Sequence, residues 1–177
     1  MQKVNQRVKI TKLLLKDALV QLLNTKKIDK ISVTELCETA GINRATFYAH
    51  YNTPQDVLSE ISKNLADEIL LKLKPQTKDN ILSNLEIISE FIYKNSDLVK
   101  LLIDNNSDHY FLEVIKTLNE TIHTSDESKH FDDDSIKLIS AFLAGGGYQM
   151  MKMWLYEDFN KTPKDIAQLI YNLFKII

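Results

Sequence analysis

Apolar residues recur along this chain at intervals of three and four, the spacing of one helical face. Ile10, Leu14, Ala18 and Leu22 return every fourth residue, flanked by Leu15, Leu19 and Leu23, and predict a helix from about Val4 to Asn24. Val33, Leu36, Cys37 and Ala40 make a shorter stripe, and Ile42, Phe47 and Tyr51 share the buried arc of a second short helix, Arg44 to Tyr51. The basic link between Thr25 and Ile31 offers Ile28 and Ile31 as plugs for the same small core. Thr53, Pro54 and Asp56 open a further helix with a cap, a proline at the first helical position and an acid at the positive end of the dipole; it runs to about Lys74, where Pro75 ends it. From Asp79 onward every stripe is helical: Ile81, Leu85, Ile88 and Ile92; Leu98, Leu101 and Leu102; Phe111, Ile115, Leu118 and Ile122. Two more helices, from Ser135 to about Glu157 and from Thr162-Pro163 to the end, complete an all-α prediction: a three-helix head over 1–53 and a larger helical body over 54–177.

The punctuation between Ser32 and Tyr51 gives the head its character. Ser32 with Glu35 three residues on is a capping-box start, Gly41 ends the helix in a left-handed turn, and Asn43 caps the next one. Two short helices joined this way are a helix-turn-helix. At about 100° per residue, Arg44, Ala45, Tyr48 and Ala49 lie beside the buried arc, with Thr46 and His50 on the next arc round. Such a face suits the major groove: Arg44 can bond a guanine edge bidentately, while Ala45 and Ala49 let the backbone approach a base or a thymine methyl. Thr46, Tyr48 and His50 carry donors for phosphate oxygens. The signal comes from cap, turn, buried arc and basic exposed arc together; a glycine turn alone would fit an ordinary helical hairpin equally well.

Charge sharpens this division. The chain of 177 residues has a net charge of −2, but residues 1–51 carry +5 and residues 52–177 carry −7. Both arginines, Arg7 and Arg44, fall in the basic part, and Arg7 and Lys9 are candidates for the DNA backbone. The single cysteine, Cys37, sits on an apolar helix face and reads as a small core residue. No apolar run approaches the ~20 residues of a membrane span, and a cytoplasmic protein is expected.

From Ile31 to Tyr51 the sequence resembles the DNA-binding domain of the TetR family of bacterial regulators, whose pattern is a hydrophobic-Thr-hydrophobic start, Ala-Gly-hydrophobic-Ser/Asn, then Thr-hydrophobic-Tyr-x-His/Tyr-Phe. The resemblance implies a homodimer on a palindromic double-stranded operator, and adds Thr34 and Asn43 to the DNA-contacting set of Arg44, Ala45, Thr46, Tyr48, Ala49 and His50. It also implies a body that binds a small-molecule effector. The chain departs from the family at Pro54, where a lysine usually touches a phosphate.

In the body, three consecutive glycines, Gly145 to Gly147, interrupt a helical pattern at a cost of about 3 kcal/mol relative to alanine. Either the helix breaks there, or a smooth strip receives another backbone. Ala144, Gly145, Gly147, Met151, Trp154, Leu169 and Leu173 are the expected dimer contacts, in a four-helix interface made by two helices of each copy, while burial of the same stripes inside one chain fits the pattern almost as well. Phe142-Leu-Ala-Gly-Gly, Trp154 and Thr162-Pro163 resemble a TetR subgroup that includes regulators of dihydroxyacetone kinase operons. That likeness keeps a second function in view, a co-regulator or activator whose body binds a partner protein in place of a small molecule. Tyr93, Phe111 and Phe142 are possible pocket lining. No phosphate-binding loop, metal-ligand spacing or nucleophile elbow is present, so neither an enzyme nor a cofactor is expected. Asp132 to Asp134 read as a solvated helix start at the end of a polar loop, and not as a metal site.

Overall fold

The computed structural model describes residues 2–75, 77–109, 111, 114 and 132–174. Eight α-helices are seen among the described residues: α1 (Gln2–Leu23), α2 (Val33–Ala40), α3 (Arg44–Tyr48), α4 (Pro54–Lys72), α5 (Ile81–Lys94), α6 (Ser96–Asp104), α7 (Asp133–Tyr156) and α8 (Pro163–Phe174). They divide into two compact units, Met1–Asn64 with Leu101–Ser107, and Leu65–Lys100 with Asp108–Ile177. The first unit is therefore larger than a head over 1–53: it keeps the first half of α4 and takes in a distant seven-residue segment.

In the first unit α1 packs on α2, and Leu15, Leu19, Leu36, Phe47, Val57 and Leu58 are wholly buried. Ile31 joins this core, whereas Ile28 is only half-buried in a single 3-10 turn, Ile28–Lys30. Cys37 is buried, and burial pushes its thiol pKa up, as befits a core residue.

The second unit is built on α5 and α8, which pack together; Leu85, Ile88, Phe91 and Ile92 are buried on one, and Ile166, Ala167 and Ile170 on the other. Asn84, fully buried, accepts from Lys74 N–H at 2.9 Å and donates to Lys74 C=O at 3.2 Å, so its amide ends the α4 segment as a backbone group would. The stripe through Ile115, Leu118 and Ile122 lies outside the described residues, as does most of the polar loop before Asp132. Asp132 itself accepts from Ser135 N–H at 2.7 Å and caps α7. α7 then runs unbroken through Gly145–Gly147, so of the two outcomes open to the glycines the helix does not break.

Candidate nucleic-acid interface

The start of α2 and the turn into α3 are set by three residues. Ser32 Oγ accepts from Glu35 N–H at 3.1 Å, but the reciprocal half of the capping box is not made, because Glu35 turns its carboxylate to Lys26. Gly41 adopts φ 65° and ψ 29°, which places Ile42 N–H 2.9 Å from Cys37 C=O. Only glycine takes this conformation without a steric penalty. Asn43 Oδ1 then accepts from Ala45 N–H at 2.8 Å and starts α3.

α3 is shorter than the sequence implies. Its regular part ends at Tyr48, and His50 N–H and Tyr51 N–H both turn back to Phe47 C=O at 2.9 and 3.0 Å. Phe47, with no exposed surface, is the pivot: its ring lies 5.5 Å from Tyr48 and 5.9 Å from Tyr51. Around it Arg44, Ala45, Thr46, Tyr48 and Ala49 are exposed, as are Thr34 and Asn43, while His50 is half-buried. Thus seven of the eight sequence-derived DNA residues fall on or next to one short, capped element, Thr34 lies in the first turn of α2, and all but His50 are exposed.

What holds that element was not legible in the sequence. Glu60 on α4 receives Lys12 at 2.8 Å and Lys16 at 2.9 Å, one lysine on each carboxylate oxygen. Burial pushes this carboxyl pKa up, but the bonds from Lys12 and Lys16, with the Tyr51 hydroxyl nearby, outweigh it and bring it to about 2. Lys12 also stands 5.3 Å over the Tyr51 ring. The segment 101–107 grips the same unit. Lys27 donates to Asp104 C=O at 3.0 Å, Ile28 N–H to Asn105 Oδ1 at 2.9 Å, Gln55 to Ser107 Oγ at 3.3 Å, and Ser62 Oγ to Ser107 C=O. Asn105, Ser107 and Ser62 are all buried.

The body residues divide differently from the expectation. Ala144, Met151 and Trp154 are buried within the chain itself, with Trp154 donating to Lys161 C=O at 2.8 Å and its ring edge-on to Phe159. They lie on the α7 arc opposite Phe142 and are covered by the chain's own residues. Phe142, offered as pocket lining, is instead 70% exposed, and Tyr93 is half-exposed. Phe111 is buried. Gly145 is exposed and Gly147 half-buried, and a Cβ built on any of the three glycines would meet nothing within 4 Å. Leu169 and Leu173 are about two-fifths exposed at 40% and 42%.

Residues 79–175 match the TetR_C_8 family, described as the transcriptional regulator C-terminal region. The chain belongs to the TetR family of transcriptional regulators. Among curated proteins, the uncharacterized HTH-type transcriptional regulator YxbF of Bacillus subtilis is 23% identical over 175 residues, covering 89% of this chain. The chain spans 43% of the length of that relative. Among solved structures, a TetR transcriptional regulator from Streptococcus agalactiae 2603V superposes with a TM-score of 0.72 at 20% identity, over 97% of both chains. The dihydroxyacetone kinase operon activator DhaS gives 0.62 at 22% identity, over 92% of this chain and 93% of its own. These likenesses are of fold.

Against the TetR pattern, the start of α4 is distinctive. Where the family usually carries lysine, Pro54 stands in a helix start closed on itself: Asp56 accepts from Asn52 N–H at 2.8 Å and Thr53 N–H at 3.0 Å. The bond from Asn52 is the main cause of the lowered Asp56 pKa, and it leaves a carboxylate where a phosphate contact is expected. Among the described residues no helix is long and apolar enough to cross a membrane.

Proposed function

We propose that this TetR-family chain is a homodimeric, effector-responsive DNA-binding repressor that reads its operator through Arg44. The observation that carries this reading is the exposed arc of Arg44, Ala45, Thr46, Tyr48 and Ala49 around a fully buried Phe47, capped by Asn43. One guanidinium beside two alanines on the same exposed face gives a helix that can sit deep in the major groove and bond a guanine in two places. Two copies present two such helices, and a palindromic site follows from the two-fold axis.

The dimer surface in this reading is the outer arc of α7. Leu138, Phe142, Gly145, Gly146, Gln149 and Met153 fall within roughly 100° of one another around the helix. Leu138 and Phe142 are 74% and 70% exposed, and the glycines between Phe142 and Met153 have open space above them. Leu169 and Leu173 of α8 add a second exposed apolar pair. Small residues flanked by large apolar ones let two helices approach closely, which gives the glycines a purpose they lack inside one chain.

An effector in the body acts on the head through segment 101–107. Its bonds are to Lys27, Ile28, Gln55 and Ser62, while its covalent neighbours belong to the body. A ligand that favours another arrangement of the flanking residues displaces Ser107 and the α4 residues bonded to it, and the operator loses affinity by the ratio of the ligand's affinities for the two states. DhaS is named an activator, and the same geometry serves activation when the site lies upstream of a promoter; a reporter assay in a deletion background gives the sign.

The test is Arg44→Ala against a duplex selected by the wild-type protein from a random pool. A loss of about 1–3 kcal/mol with relaxed preference at one base pair is expected. Unchanged affinity and preference would remove Arg44 as the reader.

A further inference from the structure

Beyond the reading helix itself, we infer that Glu60 is a positioning residue for sequence-specific DNA binding, which fixes the end of the recognition segment and withholds two lysines from phosphate. The inference rests on the DNA-binding reading above, but on none of the residues that reading places against DNA.

Three observations converge. Each oxygen of the Glu60 carboxylate holds a different lysine of α1, Lys12 at 2.8 Å and Lys16 at 2.9 Å. These are not loose surface pairs, since the Lys16 and Glu60 side chains are 19% and 28% exposed. A two-pronged pair of this kind fixes the angle between α1 and α4 in a way that a single exposed pair does not.

Next, Lys12 is placed by Glu60 at 5.3 Å from the ring centre of Tyr51, a favourable cation–π distance. Tyr51 is 5% exposed, and its hydroxyl makes no well-formed hydrogen bond among the described residues, although the nearby Glu60 carboxylate helps to raise its pKa after burial, the larger cause. Tyr51 closes the turn after α3 through its N–H to Phe47 C=O, and its ring rests on Phe47. A line of contacts therefore runs from Glu60 through Lys12 and Tyr51 to Phe47, the pivot under Arg44 and Tyr48.

Finally, the charge balance matters. With Glu60 ionised, the cluster of Glu60, Lys12 and Lys16 carries +1; with a neutral side chain there it carries +2, on lysines no longer tethered. Tethered cations contribute little to counterion release, whereas free ones add to attraction for any duplex irrespective of sequence. Glu60 thus favours specificity twice, by holding the reader and by limiting indiscriminate binding.

The experiment compares the full-length wild type with Glu60→Gln, which is nearly isosteric. Each is titrated, at several salt concentrations, with the duplex selected by the wild type and with a scrambled duplex of equal composition. The expected result for Glu60→Gln is a selected-to-scrambled affinity ratio reduced about tenfold, together with a steeper salt dependence on the scrambled duplex. Merely losing folded protein lowers both affinities alike and leaves the ratio in place. The double variant Glu60→Lys/Lys16→Glu re-forms an α1–α4 pair with charges exchanged, and should recover part of the ratio; it also serves if Glu60→Gln fails to fold. A ratio unchanged in Glu60→Gln, or unaltered salt slopes, overturns the inference. A wild type that selects no sequence from the pool refutes the DNA-binding reading itself, which is a distinguishable outcome.

Discussion

Replacing Phe142 with glutamate tests the dimer surface where the structure gives a magnitude. Full burial of a phenylalanine side chain contributes about 1.5–3 kcal/mol. Phe142 is 70% exposed in the single chain, so most of that, about 1–2 kcal/mol, is available to a partner. A two-fold interface counts it twice, which makes the loss about 2–4 kcal/mol, before any cost of placing a carboxylate against apolar surface. At 1.4 kcal/mol per decade the dimer dissociation constant rises about 30-fold to 1,000-fold. Sedimentation velocity over a wide concentration range reads it directly, with circular dichroism to show the helices intact. A companion variant removes the remaining ambiguity. Gly145→Leu places a side chain where a Cβ meets nothing within 4 Å, so a single chain gains about 1 kcal/mol of helix propensity. Its dimer, in contrast, must accommodate a leucine at the point of closest approach. Raised thermal stability of the monomer with weakened dimerisation is the expected signature. If both variants dimerise as the wild type does, the outer face of α7 is not the interface.

Two further outcomes follow from the head. The Glu60 carboxyl titrates at about 2 in the folded chain against 4.5 for the unperturbed group. A depressed folded pKa stabilises above the unfolded value, so this contribution is complete above pH 4.5 and is lost as pH falls toward 2. Its size is at most on the order of 3 kcal/mol, and Glu60→Gln should flatten the acid limb of a plot of melting temperature against pH; an equally steep limb would mean that other carboxylates govern it. Asn105→Ala removes the acceptor of Ile28 N–H and should destabilise the first unit by about 1–3 kcal/mol, with hydrogen exchange at Ile28 the local reporter; unchanged protection there would show that Asn105 does not secure the segment.

How far the sequence carried depends on the kind of feature. Helix starts and stops were legible because each is a local backbone problem with a chemical answer, as at Gly41, Asn43, Thr53 and Asp132. Faces were legible where one residue dominates: Phe47 is buried and Arg44 exposed as the 100° rule requires. Periodicity failed where two faces of a helix are both apolar. On α7 it could not tell which arc the monomer uses, and Met151 and Trp154 went to the interior while Leu138 and Phe142 stayed outside. Long-range polar contacts left no periodic trace at all. Asn105 and Ser107 carry no local signal of a role, yet they are buried and bonded to residues 77 and 45 positions away, Ile28 and Ser62. Likewise Glu60 reads as a solvated acid until the fold brings Lys12 and Lys16 to it.

The same pairs bear on how strongly the head can attract DNA. The +5 balance of residues 1–51 suggests generous phosphate binding, but much of that charge is engaged. Lys12 and Lys16 are held by Glu60, Lys26 by Glu35 and Lys27 by the Asp104 carbonyl. At α4 the family's usual lysine is replaced by Pro54, and Asp56 occupies the helix start. Under the proposed reading, Arg7 and Lys9 at the beginning of α1, both exposed, are then the main cations for the backbone, with Arg44 directed to a base. Two to three phosphates neutralised per head make roughly five per dimer, and a slope of about −4 to −5 in log K against log salt. A salt titration of the selected duplex measures this slope. Arg7→Gln with Lys9→Gln should reduce it by about 3–4 while leaving base preference intact, since phosphate contacts position the protein and carry no sequence information. A wild-type slope near −10 would mean that the paired lysines exchange their carboxylates for phosphate on binding, and that the ion pairs are a reserve of charge instead of a restraint on it.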